Sequence, residues 1–251
     1  MTESVKQTIL KIQKTEELYA IMSMCTRMPY VECDGETYDD QIFVYFEEED
    51  AKQAVHKLIE KKIPVQLVKL TKQVILPFFV NLFPMGVNCV VVNRGSSGSV
   101  AVQLQDMLKR PNGDKLPDGK LRIENPELHL TAIYYMQELK RMPGQQERED
   151  MKELHEEMMN HFQKGTYIIA IRETDNGMPI LKQPNGEMFH PIFTDAQEFQ
   201  KFCNINKNDK FKTGVVEADN IIKLVAPNAK GIVVNPMGVN LQLQMVKKEN
   251  I

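Results

Sequence analysis

The 251-residue sequence predicts an α+β fold made of two related units in tandem, each a mixed or antiparallel sheet with packed helices. Three observations predict it. Short apolar runs, rich in Val, Ile, Phe and Tyr, alternate with segments whose apolar residues recur at helical spacing. The same order of elements occurs twice. The sequence offset between matching features falls overall along the chain, from about 150 to 142, as loop insertions make it do.

In the first half, residues 1–6 open a charged helical pattern. Asp34-Gly35 marks a hairpin turn, and 42–46 is the return strand. Asp50 is expected to cap the next helix, with Gln53 three residues on; Ala51, Ala54, Val55, Leu58 and Ile59 share its apolar face. Lys61 and Lys62 suit the negative end of its dipole. A strand over 65–70, an apolar run over 71–83 and a buried strand ending at Asn93 follow. Residues 93–99, Asn-Arg-Gly-Ser-Ser-Gly-Ser, read as a hairpin connection into an alternating strand over 100–104.

Residues 111–119 are rich in turn formers, and 126–141 reads as a helix with Pro126 in its first turn. A boundary near Gly144 divides the chain into units 1–144 and 145–251. In the second, Met151, Leu154, Met158 and Phe162 lie on one helix face, and Gly165 ends that helix. A buried strand spans 167–171. Asn185-Gly186 is a strong hairpin signal between Leu181 and a return strand with Phe189, Ile192 and Phe193. Asp195 is the expected N-cap of a helix carrying Ala196, Phe199, Phe202 and Cys203, with Glu198 at capping-box spacing. A strand near 213–216, a helix closed by Pro227, a buried strand over 231–235 and an edge strand over 239–245 complete the unit.

The offsets run 150 for Met28-Pro29 against Met178-Pro179 and 151 for the turn glycines. They fall to 145 for the Asp-Ala helix starts (Asp50, Asp195) and 142 for the Val-Val-Asn strand ends (Asn93, Asn235). Pro-Met-Gly-Val-Asn occurs twice, at 84–88 and 236–240, before the Val-Val-Asn strand in one half and after it in the other. The sequence does not say which register is right there.

Composition narrows the function. Hydrophobic residues make up 42% and charged residues 26%, ordinary for a packed chain. The net charge of −3 gives no footprint for nucleic acid and no polybasic surface for lipid. Cys25, Cys33, Cys89 and Cys203 lack metal spacing and read as small apolar residues of a reducing compartment. No apolar run approaches the roughly 20 residues a membrane span needs. With no export signal read at the N-terminus, the expected location is the cytoplasm.

Few residues suggest chemistry. His155 and His161 stand six apart, about 120° from each other around a helix, so they do not make a zinc pair. His56, His129 and His190 are assigned solvent-facing or turn roles rather than a triad. Gly95 and Ser96, in the 93–99 loop, are the best anion-nest candidates, although a strand rather than a helix follows them. Asn93 and Asn235 end buried strands, where Asn commonly satisfies backbone groups. Most of the 15 methionines should fill core, a minority lining an adaptable groove.

Pro191-Ile-Phe-Thr-Asp-Ala196, the helix after it and Ile232-Val-Val-Asn-Pro236 resemble the SseB-like family, with the second unit the closer copy. The first departs from it: Phe46-Glu-Glu-Glu stands for Phe-Thr-Asp, and Arg94 follows Asn93 where Pro236 follows Asn235. The resemblance implies a small α+β domain of a bacterial cytoplasmic protein and brings no catalytic mechanism.

The expectation is therefore a non-enzymatic protein-interaction or regulatory module without cofactor or metal. Its partner would be another protein, and self-association as a homodimer is compatible with it. The rival is a small-ligand-binding or cryptic enzymatic protein with a cleft between the units. The residues nominated for a cleft are Asn93, Gly95, Ser96, Asp195, Asn235 and Pro236.

Overall fold

A computed structural model describes residues 1–110 and 122–245. The turn-rich 111–119 segment falls outside the described residues. The chain divides into two compact units, the first described over 1–110 and 133–151 and the second over 122–132 and 152–245. The division passes within the helix spanning Pro126–Arg141 and just inside the one spanning Glu149–Lys164.

In the first unit, helix α1 (Glu3–Lys14) leads into strands β1 (Glu17–Ser23), β2 (Glu32–Cys33) and β3 (Asp40–Tyr45). Helix α2 (Glu48–Glu60), β4 (Val65–Thr71), α3 (Lys72–Val80), β5 (Cys89–Val92), β6 (Val100–Gln103) and the short α4 (Leu104–Met107) follow. The sheet order is β4-β1-β3-β5-β6, with β2 paired to β3. Only β3 and β5 run parallel; the crossover between them carries α2, β4 and α3. Chain order from α5 (Pro126–Arg141) onward is α6 (Glu149–Lys164), β7 (Thr166–Arg172), β8 (Leu181–Lys182), β9 (Met188–Phe193), α7 (Ala196–Ile205), β10 (Phe211–Glu217), α8 (Ala218–Leu224), β11 (Gly231–Val234) and β12 (Leu241–Gln244). The second sheet has the same order, β10-β7-β9-β11-β12, with β8 on β9. The fold is thus α+β with two similar units.

Strand pairing fixes the register between the units. Tyr19 faces Tyr45 and Ile168 faces Phe193, so β1 and β7 differ by 168 − 19 = 149 and β3 and β9 by 193 − 45 = 148. Val65 against Ser23 and Phe211 against Arg172 give 211 − 65 = 146 for β4 and β10. Cys89 against Gln41 and Gly231 against Phe189 give 231 − 89 = 142 for β5 and β11. The pentapeptide is resolved by this register: 84–88 precedes β5, whereas 236–240 forms the β11–β12 hairpin, whose counterpart is 93–99. The two copies occupy non-equivalent positions.

Several local expectations change. The cap of α2 is Glu47, with no side-chain cap bond, and Asp50 lies inside the first turn, where its charge still favours the positive end of the dipole. The helices therefore correspond at an offset of 148, not 145. Gly35 does not supply the turn after β2. Asp34 Oδ1 accepts from the Glu36 and Thr37 amides (3.0 and 2.9 Å), and Tyr38 takes the positive φ of 58°. The apolar 71–83 run is helical over α3, with Pro77 inside it. Gly165 ends α6 through close approach: a Cβ there would overlap the Tyr167 hydroxyl, which donates to the Phe162 carbonyl at 2.7 Å.

The first unit's core includes Tyr19, Ile21, Phe43, Tyr45, Val65 and Val91, under α2. The second unit's includes Ile168, Ala170, Phe193 and Phe202, under α7. Met28, Met151 and Met158 are buried, as core filler should be, and Met24 is exposed. Among the described residues no helix is long and apolar enough to cross a membrane.

Candidate functional site

The end of the strand following each crossover is built alike. Asn93 and Asn235 close β5 and β11 in left-handed backbone, φ 52° and 48°, a conformation Asn adopts more readily than most residues. Asn93 Oδ1 accepts from the Phe46 amide at 3.1 Å, and Asn235 Oδ1 from the Thr194 amide at 3.0 Å. Each asparagine thus ties its strand end to the chain entering α2 or α7.

In the second unit this tie extends into a sealed polar cluster. The Asn235 amide donates to Thr194 Oγ1 at 2.8 Å, and that hydroxyl donates to Asp195 Oδ2 at 2.7 Å. Asp195 Oδ1 caps α7 by accepting from the Gln197 and Glu198 amides. His129 on α5 places Nδ1 3.4 Å from Asp195 Oδ2 and 3.3 Å from Thr194 Oγ1. Burial opposes ionisation of Asp195, but the His129 contact and the bonds from Thr194 and Glu198 outweigh it and hold the carboxyl below its usual range. A hydroxyl, an imidazole and a carboxylate in contact resemble a nucleophilic triad. All three residues are at most 2% exposed, so nothing reaches the hydroxyl. The cluster caps α7 and holds α5 against the strand ends of its own unit.

His129 is therefore buried, contrary to the solvent or turn role assigned to it, and so is His190. His190 Nδ1 lies 2.8 Å from the Pro179 carbonyl, and Nε2 is 3.1 Å from the Ala226 amide and accepts from it. This is the neutral tautomer with the Nδ1 proton donated. Burial pushes the His190 pKa down. His56 is exposed as expected.

The first unit has an open cleft instead, of about 270 Å³, between α2 and the 93–96 segment. Ile21, Phe43, Tyr45, Ala54, Leu58 and Ile63 supply its apolar lining. Arg94 and Glu32 form one side, joined by two hydrogen bonds of 3.1 and 2.6 Å, with the guanidinium 4.3 Å over the Phe43 ring. Burial opposes ionisation of Glu32, but Arg94 outweighs it and the carboxyl is held low. The Tyr45 hydroxyl donates to the Arg94 carbonyl at 3.5 Å, and burial pushes its pKa up to about 12. Asp50 and Lys57 of α2 and Lys61 at its C-cap complete the rim.

Of the nominated residues, Asn93, Gly95 and Ser96 line this cleft. Asp195 and Asn235 belong to the sealed cluster, and Pro236 is half-buried in the β11–β12 hairpin. Gly95 takes a φ of 83° and Ser96 Oγ donates to the Asn93 carbonyl at 2.9 Å. Sequence reasoning missed Arg94, Glu32, Tyr45 and the α2 lysines. The departure at Arg94 from the second unit's Pro236 was the available signal.

No family model matches the sequence, and no curated protein does. Two solved structures are similar to the chain at low level. Tic22 from Plasmodium falciparum is 13% identical, over 89% of this chain and 89% of that one, with a TM-score of 0.23. Anabaena Tic22, described as a protein of protein transport, is 13% identical over 89% of this chain and 86% of its own, also at 0.23. At that TM-score the likeness carries no argument about this chain.

Proposed function

We propose that the chain is a non-enzymatic interaction or regulatory module that holds a segment of a partner protein in the cleft of its first unit. The observation that carries this reading is the make-up of the cleft. An apolar floor ringed by charges of both signs has the anatomy of a protein interface, apolar at the centre and polar at the rim. Small-molecule pockets run about 300–1,000 Å³ and bury most of their ligand; at about 270 Å³ and open on one side, this cleft suits a side-chain anchor better. The Thr194–His129–Asp195 cluster, the one with nucleophilic geometry among the described residues, is sealed, which favours binding over reaction. The SseB-like relationship and a bacterial cytoplasmic setting belong to the same proposal.

Peptides selected from a random library on the purified protein test it. Selected peptides that compete for one site and are displaced when Leu58→Glu places a charge on the cleft floor support the module. A metabolite that raises Tm by several degrees in a thermal-shift screen, with the shift lost in Leu58→Glu, overturns it in favour of a ligand-binding protein.

A further inference from the structure

The internal repeat indicates what the cleft is shaped to hold. At the α2–α7 offset of 148, Ala51 corresponds to Phe199 and Ala54 to Phe202. The same offset pairs Tyr45 with Phe193, and the 146 offset pairs Val65 with Phe211. In the second unit Phe193 lies 5.4 Å from Phe199 and 5.3 Å from Phe202, and Phe202 lies 5.3 Å from Phe211. Phe202 is 1% exposed and fills the centre of that group. Met237 packs against the same group, at the position corresponding to Gly95. The first unit keeps the frame but has Ala54 where the central ring would start and Gly95 where the thioether would lie. The cleft is in effect the seat of a missing phenylalanine.

The rim adds a charge preference. Glu32 is engaged by Arg94, whereas Lys57 and Lys61 make no ion pair among the described residues. With Glu32, Arg94 and Asp50, the two lysines give the rim five charges that sum to a net +1. Lys57 in the last turn of α2 and Lys61 at its C-cap are four residues apart, beside the entrance.

We propose that the cleft takes a phenylalanine-type side chain of a partner polypeptide, seated as Phe202 is in the second unit, with an acidic residue beside it meeting Lys57 and Lys61. This rests on the interaction reading above and names the chemistry of its partner. Offset or edge-on ring packing on Tyr45 would supply contact beyond area alone, and the lysines would add attraction that falls with salt.

Fluorescence polarisation of the full chain with labelled peptides tests this. The probes are Gly-Ser-Asp-Phe-Asp-Ser-Gly, the same peptide with Phe changed to Leu or to Ala, and one with both Asp changed to Lys. The Phe peptide should bind, the Leu peptide several-fold more weakly, and the Ala peptide about tenfold or more so, equivalent to about 1.4 kcal/mol. The Lys-flanked peptide should bind more weakly still at low salt than at high salt relative to the Asp form. Ala54→Phe, which supplies the missing ring from within, should abolish binding while raising Tm; Ala54→Met is the second variant should the ring be too large. Equal binding of the Phe, Leu and Ala peptides, or no binding of any, overturns the aromatic proposal. The interaction reading survives that result if library-selected peptides are still displaced by Ala54→Phe, and falls with it if they are not.

Discussion

Asn93 and Asn235 occupy the same left-handed backbone position at the ends of β5 and β11, and each side chain accepts the amide of a residue just before a helix of its own unit, Phe46 before α2 or Thr194 before α7. Asn235 is fully buried and also donates to the Thr194 hydroxyl; Asn93 is half-buried, and its side chain makes no such second bond among the described residues. The same residue is thus asked for more in the second unit.

Asn235→Ala is therefore expected to be the costlier change. Ala lacks the polar side chain that lets Asn tolerate left-handed backbone, a cost of up to about 1–2 kcal/mol, and leaves the buried Thr194 amide unpaired, about 1–3 kcal/mol. Asn235→Gly keeps the backbone and loses only the bonds, so it should lie between Ala and wild type. Urea midpoints measure the order. An Asn235→Ala variant within 0.5 kcal/mol of wild type would show that the tie does not hold the strand end.

Phe202→Ala should destabilise the chain by about 3–5 kcal/mol, the usual cost of removing a buried ring when the surroundings do not collapse. The surroundings here are three further rings, Phe193, Phe199 and Phe211, which resist collapse. Chemical denaturation of Phe202→Ala beside Leu58→Ala, at the half-open cleft, gives the comparison. The second should cost clearly less, and equal costs would mean the two α-helix faces are packed alike.

Most of the fold was legible because it rests on periodicity. Pro126–Arg141 is helical at the expected limits, and the Asn185-Gly186 turn, with Gly186 at a φ of 87°, lies where a residue free to adopt it was seen. The cleft was not legible, for a physical reason. An acidic residue is favoured both as an N-cap and in the first turn of a helix, so the sequence alone makes Asp50 match the capping Asp195. That register, 145, sets Ala51 against Ala196 and Ala54 against Phe199, and the exchange of two rings for two methyl groups disappears. Only the strand pairs, which fix the offset at 148, bring Ala54 opposite Phe202. His129 was misplaced for a simpler reason: a polar side chain was assumed to face water, although Ile133 and Met136, four and seven residues on, put it on the buried face of α5.

The capping carboxylate gives a graded test. Asp195→Asn keeps an acceptor for the Gln197 and Glu198 amides, and Asn is as good an N-cap as Asp. Asp195→Ala loses the cap, about 1 kcal/mol, and also leaves the buried Thr194 hydroxyl without its acceptor, about 1–3 kcal/mol more. Thermal melts at neutral pH should rank wild type above Asn and Asn above Ala. Because the Asp195 pKa is lowered in the folded state, its contribution is present above the ordinary Asp value of about 3.9 and lost as pH falls below it. A variant pair with identical melts would show that the cluster is not holding α7.

His190 should give the chain a separate sensitivity in mild acid. Its ring is buried and neutral, donating to the Pro179 carbonyl and accepting the Ala226 amide, with Arg172 nearby further disfavouring a second proton. The folded pKa is depressed, so the unfolded chain takes up the proton first. Stability is then fully present above the unfolded value of about 6.5 and falls as pH drops from there toward the lowered folded value. The slope reaches at most one proton, about 1.4 kcal/mol per pH unit. His190→Gln removes the titration while keeping a donor and an acceptor, so it should be less stable at pH 7.5 but flatter between pH 6.5 and 5. Urea unfolding of both proteins across that range reads the difference in slope directly. Parallel curves would mean that His190 gains no proton on unfolding, and that the buried neutral ring is not what makes the second unit sensitive to acid.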